Sequence, residues 1–220
     1  MVRGLILDFD GLIADSESIW HRVLSSMYAL HGAVLTEESW LRGVGASLAE
    51  FDPFEELASL TGAPARRASF EAEGESMFRE LMERSVPLPG VTDLLGQAAA
   101  LGLRCAVASS SRRESVVPYL RQYGLLGGFD HVITRESAPR AKPAPDLYLE
   151  ALSRLGLSPH EAVAFEDSPP GLQAARAAGI RCVVVPGAVT RSLDFEGYHL
   201  RLATLLGFEL NGAAFLRRHA

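Results

Sequence analysis

Five short, nearly unbroken apolar runs punctuate the chain: Leu5 to Leu7, Leu103 to Ala108, His131 to Ile133, Ala162 to Phe165 and Arg181 to Val185. Each is followed by a stretch with helical spacing. Strands that read as continuously apolar are buried on both faces, so their alternation with helices predicts an α/β fold built on a doubly wound parallel sheet. Helices are predicted at "VTDLLGQAAALG", "ESVVPYLRQYG", "PDLYLEALSRLG" and "SPPGLQAARAAG". The first three close on a glycine, and the last carries Pro169 and Pro170 in its first turn, where missing N–H groups cost little.

The residues between Leu7 and Leu103 break this rhythm and contain no convincing strand. Ile19, Val23, Met27 and Leu30 make one helical stripe; Phe51, Phe54, Leu57 and Leu60 make another; Phe70, Met77, Phe78 and Leu81 suggest a third. Residues 15–85 therefore read as a small helical bundle inserted into an α/β core formed by residues 1–14 and 86–220. "SVPLPG", residues 85–90, marks the return, because Pro and Gly end a helix and restart the chain in extended form.

Composition narrows the classes of partner. A chain of 220 residues with 48% hydrophobic content can bury a full core. Its 27 acidic against 21 basic residues leave a formal charge of −6, and no Lys/Arg-rich run occurs, which argues against nucleic-acid and membrane-surface binding. An anionic substrate must then be met by a local cation. No window approaches 18 consecutive apolar residues, and Met1 leads straight into "VRGLIL", not into a signal peptide, so a cytoplasmic protein is expected. Cys105 and Cys182 each follow an arginine inside an apolar run and read as packing thiols.

Candidate chemistry gathers where the apolar runs end, the edge at which parallel sheets collect ligands. The first run ends in Asp8-Phe9-Asp10-Gly11, the second in Ser109-Ser110-Ser111, the fourth in Glu166-Asp167-Ser168, and Lys142 lies in "PRAKPAPD". Taken singly these are ordinary: a DxD turn, serines capping a helix near Arg112, an acidic N-cap pair, a solvated lysine. Taken together they describe a phosphoryl site. Asp8, Glu166 and Asp167 offer hard oxygen ligands suited to Mg²⁺. Asp8 continues the rigid strand and reads as a nucleophile that forms an aspartyl-phosphate. Asp10, freed by the turn at Gly11, reads as the general acid and base. Ser109 and Lys142 read as contacts to phosphoryl oxygens.

The order DFDG, a strand ending in Ser, a lysine in "KPAPD" and then "EDSPPGLQAARAAG" resembles the haloacid dehalogenase superfamily of phosphohydrolases. More narrowly it resembles the branch with β-phosphoglucomutase and phosphoglycolate phosphatase, in which a helical cap is inserted after the first motif. The resemblance implies Asp8 as nucleophile and Mg²⁺ ligand, Asp10 as acid/base with its main-chain carbonyl on the metal, and Ser109 and Lys142 on the phosphoryl group. It also implies that Glu166 and Asp167 complete the metal shell, Asp167 directly. Ala141 stands where this branch has a glycine before the lysine. Trp20 stands where the mutases carry a histidine, with His21 one place late, about 100 degrees round a helix; this favours hydrolysis over phosphoryl transfer between positions.

In such enzymes the cap supplies contacts to the rest of the substrate. "WLRGVGAS", residues 40–47, reads as a glycine-bracketed loop whose Arg42 touches substrate. Glu17 and His21 lie near the hinge, with two readings open, side chains that face the site or ordinary polar helix residues, and Trp20 reads as packing between cap and core. His31, His131 and His160 have no partner at ligand spacing. The expectation is a monomeric, Mg²⁺-dependent phosphatase of a small phosphorylated metabolite such as a sugar phosphate. The alternatives are a sugar-phosphate mutase of the β-phosphoglucomutase type and, remotely, a phospho-accepting receiver-like module. Receiver domains place their acidic pair at the first strand but their acceptor on a later one, and lack an inserted cap.

Overall fold

A computed structural model describes residues 1–43 and 51–210, without the side chains of residues 41–43. The chain divides into two compact units, one of Met1–Asp15 with Val86–Ala220 and one of Ser16–Ser85.

The larger unit is built on a sheet of six parallel strands, β1 (Gly4–Leu7), β2 (Arg104–Ala108), β3 (His131–Ile133), β4 (Ala162–Glu166), β5 (Arg181–Val184) and β6 (Leu200–Arg201). Their spatial order is β3-β2-β1-β4-β5-β6. All five apolar runs are strands. The sixth escapes a pattern search because it is two residues long, and two backbone bonds, His199 N–H to Cys182 C=O at 2.9 Å and Leu202 N–H to Val184 C=O at 2.8 Å, flank it. The four helices read from spacing are present as α5 (Val91–Ala100), α6 (Arg113–Gln122), α7 (Asp146–Leu155) and α8 (Pro169–Ala177).

Leu5, Ile6 and Leu7 are all fully buried, which accounts for a strand with no polar alternation. Alternate side chains serve opposite faces. Ile6, Ala106, Ala108, Ala164, Cys182 and Val184 share a core with Leu147, Tyr148, Leu152 and Leu155 of α7 and Leu172, Ala174 and Ala175 of α8. The small alanines on β2 and β4 let α7 and α8 lie close to the sheet. Cys105 and Cys182 are free and buried; burial pushes the Cys105 thiol up to about 12 and raises Cys182 as well, so both are inert packing groups.

The helical unit holds α1 (Ser16–Leu30), α2 (Glu37–Gly43), α3 (Pro53–Leu60) and α4 (Arg67–Met82). Ile19, Val23, Met27, Phe54, Leu57 and Phe70 are buried as their spacing implies, but Leu30 and Leu60, each at the last residue of its helix, are exposed. The third stripe is displaced: α4 buries Phe70, Gly74 and Met82, leaving Met77, Phe78 and Leu81 half-buried. Gly74 explains the shift. A Cβ there would stand 2.9 Å from both Met27 Sδ and the Phe54 ring, so its absence lets α4 close on α1 and α3. Trp20 stacks on Phe78 at 4.3 Å, which places its ring packing inside this unit. Polar ties join the helices: Tyr28 Oη donates to the Pro53 carbonyl and to Glu56, and Ser39 Oγ donates to the other Glu56 oxygen. The segment expected to be a loop at residues 40–47 is helical as far as Gly43, because α2 begins at Glu37 and Trp40 is buried on it. Residues 44–47 lie outside the described residues. No described helix is long and apolar enough to cross a membrane.

Two predictions follow from this packing. Ile6→Ala, which opens a cavity between β1 and the helices on that face, should cost roughly 2–5 kcal/mol in urea unfolding. The Glu161 carboxyl is held down at about 2 by the Ser158 hydroxyl, the Ser158 N–H and Arg3. A carboxyl lower in the native than in the unfolded state stabilises above its ordinary value and loses that contribution as pH falls through the native one. Thermal melts between pH 4.5 and pH 2 should therefore fall less steeply in Glu161→Gln than in the wild type.

Candidate active site

β1 lies between β2 and β4, where the strand order reverses, so the loops leaving its carboxyl end diverge and open a crevice. Asp8 follows the last β1 residue and keeps the strand's hydrogen bonding, its N–H donating to the Phe165 carbonyl at 3.0 Å. This aims a buried carboxylate from a rigid element. Three residues on, Gly11 adopts φ 74°, and its N–H donates to the Ala14 carbonyl at 2.8 Å. Gly11 is also required by space, since a Cβ there would overlap the Asp167 carboxylate.

The two aspartates meet different partners. Asp8 Oδ1 is 2.5 Å from Lys142 Nζ, and the same ammonium is 2.6 Å from Glu166 Oε1. The lysine side chain is buried, at 6% exposure. Asp10 Oδ2 instead accepts from Ser109 Oγ at 3.1 Å and Ser111 Oγ at 2.7 Å, and Ser111 N–H donates to Ser109 Oγ at 2.9 Å. The serines are thus not the cap of α6. That helix has no side-chain cap at Arg112, and the Glu136 carboxylate takes the Arg113 N–H.

Glu166, the last residue of β4, is fully buried. Its Oε1 accepts from Tyr148 Oη at 2.5 Å as well as from Lys142, whereas its Oε2 is buried with no hydrogen-bond partner among the described residues. Gly171, in the first turn of α8, makes room for this carboxylate, which a Cβ would overlap. Ser168, not the acidic pair, caps α8, accepting from Gly171 N–H at 3.3 Å. Asp167 Oδ2 lies 3.5 Å from Thr190 Oγ1, itself held by Gly187 N–H at 3.0 Å.

One oxygen each from Asp8, Glu166 and Asp167 lies within 4.8 Å of the others, all three residues buried. Burial pushes the Asp8 carboxyl well above its ordinary range; Lys142 pulls it back, and Glu166 and Asp10 push it further up. Burial works against the Lys142 charge, yet Asp8 and Glu166 hold that ammonium above the ordinary lysine range. The lysine therefore keeps its proton, and one ammonium answers several carboxylates. Burial likewise raises the Tyr148 phenol, with Glu166 adding to it, so Tyr148 remains a hydrogen-bond donor. An all-oxygen acidic cluster with a surplus of negative charge and one unpartnered buried oxygen fits a hard divalent cation.

The structure thus brings together Asp8, Asp10, Ser109, Lys142, Glu166 and Asp167. Arg42 falls on α2 and its side chain lies outside the described residues. Glu17 is half-buried on α1, and His21 is exposed with its ring edge against Trp40 at 4.9 Å. His31 does find a partner, Glu73 at 3.1 Å within the helical unit. Tyr148, Ser111 and Thr190 were not singled out from sequence. Tyr148 carried a signal, as the one polar-tipped side chain in the buried stripe Leu147, Tyr148, Ala151, Leu152, Leu155.

The family model described as haloacid dehalogenase-like hydrolase matches residues 5–185. The protein YhcW of Bacillus subtilis (strain 168) is 40% identical over 96% of this chain and 95% of its own length. Hexitol phosphatase B of Escherichia coli (strain K12) is 30% identical, covering 84% of each chain. A crystal structure of CbbY from Rhodobacter sphaeroides in complex with xylulose-(1,5)bisphosphate superposes with a TM-score of 0.76 at 30% identity, covering 98% of this chain and 99% of that one.

Lys142→Met removes the one ammonium bonded to Asp8 and Glu166 among the described residues. It should cost about 3–5 kcal/mol in urea unfolding at pH 7, and millimolar divalent cation should restore part of that loss.

Proposed function

The chain belongs to the haloacid dehalogenase-like hydrolase family, and from that premise we propose that it is a Mg²⁺-dependent phosphatase of a small phosphorylated sugar or polyol, acting through an aspartyl-phosphate on Asp8. The observation that carries this reading is the separation of roles at the end of β1. Asp8 is buried against Lys142, while Asp10, two residues away and more exposed, is held by two hydroxyls. The Lys142 ammonium favours the ionised form of Asp8 against the cost of its burial, whereas Asp10 is bonded to neutral hydroxyls that can accept as well as donate, so the first is suited to attack and the second to carry a proton.

In the first step an Asp8 carboxylate oxygen attacks phosphorus as the ester P–O bond breaks, and Asp10 gives its proton to the departing alkoxide. In the second, water attacks the same phosphorus, the bond to Asp8 breaks, and Asp10 takes the water proton as inorganic phosphate forms. Lys142 keeps its charge through both steps and spreads it over the nucleophile and the transferred oxygens. Ser109 is assigned to a phosphoryl oxygen, leaving Ser111 to orient Asp10. Asp8, Glu166, Asp167 and the main-chain carbonyl of Asp10 would hold Mg²⁺, which supplies Lewis-acid polarisation of the phosphoryl group and offsets the carboxylate repulsion.

The helical unit Ser16–Ser85, inserted between β1 and α5, is assigned the role of cap, with Arg42 the candidate contact to the remainder of the substrate. The sugar class is supported by relatives whose names specify a hexitol phosphatase and a complex with a pentulose bisphosphate. Hydrolysis is preferred to mutase chemistry because Trp20, whose ring stacks on Phe78, offers an indole N–H that does not titrate in the working range. The enzyme is placed in the cytoplasm as a monomer.

Phosphate release from a panel of sugar and polyol phosphates tests this reading. Turnover should need Mg²⁺, stop with EDTA, and fall toward roughly 10⁶-fold in Asp8→Asn while the protein stays folded. Steady-state hydrolysis retained by Asp8→Asn would overturn it.

A further inference from the structure

The two oxygens of Glu166 are treated unequally. Among the described residues Oε1 receives two donors, Lys142 Nζ at 2.6 Å and Tyr148 Oη at 2.5 Å, and Oε2 receives none. The two donors differ in kind. The Lys142 ammonium sits at the end of a four-carbon tether and is shared with Asp8, so it follows whichever carboxylate carries more charge. Tyr148 has no such freedom. Its ring is fully buried in the core beside Ile6, Leu152 and Leu172, so α7 sets where its hydroxyl stands. It is also neutral, and adds a hydrogen bond without adding charge. The Lys142 ammonium lies 5.3 Å from the Tyr148 ring centroid, so one aromatic ring borders both groups. On the other side the missing side chain of Gly171 leaves the space that the carboxylate occupies.

We propose that Tyr148 is a positioning residue for the divalent cation: its hydroxyl, with Lys142, saturates Oε1 of Glu166 and so reserves Oε2, over Gly171, as the oxygen with coordination capacity left. This rests on the reading that Asp8, Glu166 and Asp167 hold a divalent cation. Without the hydroxyl, the Glu166 carboxylate loses its one uncharged anchor. Lys142 is then the donor left to this carboxylate among the described residues, and the ammonium competes with the cation for the same group. Groups that orient a metal ligand in this way typically change affinity by about 10–100-fold when removed.

The test is calorimetric titration of the full chain with Mg²⁺, in the absence of substrate, on wild type, Tyr148→Phe, Glu166→Gln, the double variant and Asp167→Asn. Tyr148→Phe should weaken Mg²⁺ binding by about 10-fold or more, with the KM for substrate at saturating Mg²⁺ unchanged. In the Glu166→Gln background the same substitution should change nothing further, because its effect passes through Glu166. A purely structural tyrosine would shift the melting temperature and leave the Mg²⁺ affinity alone. Should Tyr148→Phe fail to fold, Tyr148→Met, which keeps an apolar side chain on α7 without the hydroxyl, takes its place alone and beside Glu166→Gln. A loss of affinity in Tyr148→Met that vanishes beside Glu166→Gln supports the proposal, and equal affinity in wild type and Tyr148→Met overturns it. Equal Mg²⁺ affinity in wild type and Tyr148→Phe overturns this inference alone. Absent binding in the wild type, or undiminished binding in Asp167→Asn, overturns the metal reading and this inference with it.

Discussion

The larger unit is organised around one electrostatic imbalance: the buried carboxylates of Asp8, Glu166 and Asp167 converge at the end of a central strand, and Lys142 answers two of them. Burying like charges together is costly, and a single ammonium cannot neutralise the group. The surrounding residues follow from that cost. Lys142 arrives from the segment before α7, Tyr148 from α7 itself, and Gly11 and Gly171 exist where a side chain would strike a carboxylate. A site that stores unbalanced negative charge in a dry, rigid setting is prepared for a cation and for an anionic group that transfers charge onto it.

The sheet makes this concentration possible. With β2 and β3 on one side of β1 and β4 to β6 on the other, the loops following β1, β2 and β4 leave in diverging directions. Each contributes one kind of group: the acidic pair, the serine triplet, and the second acidic pair. Asp8 and Asp10 then differ although one residue separates them. Asp8 still belongs to the strand and shares its burial, and Asp10 belongs to the turn, where it takes hydroxyl donors from β2's end.

Much of the fold was legible because its causes are local. Five strands buried on both faces leave unbroken apolar runs, and four helices keep their periodicity and their terminal glycines or prolines. What escaped were features whose causes lie elsewhere in the molecule. β6 is two residues paired to β5 through the backbone, which leaves no side-chain pattern. The third helical stripe is displaced because Gly74 opens the approach of α4, and a glycine does not count in a hydrophobic periodicity. The serines went to Asp10 and not to the helix end, since Glu136, distant in sequence, had taken that N–H.

By itself the sequence determined the α/β class, the strands, and the residue types offered at the strand ends: two aspartates, a serine triplet, a lysine and an acidic pair, in an order similar to that of one hydrolase family. These are properties of short segments, set by spacing and side-chain chemistry. Tertiary structure alone decided the pairings. That Lys142 bridges Asp8 and Glu166, that Ser109 and Ser111 serve Asp10, and that Tyr148 loads one oxygen of Glu166 and leaves the other bare all depend on angstrom-scale placement of loops far apart in the chain. Hydrogen bonds and buried charges act over those distances, and no one-dimensional pattern records them.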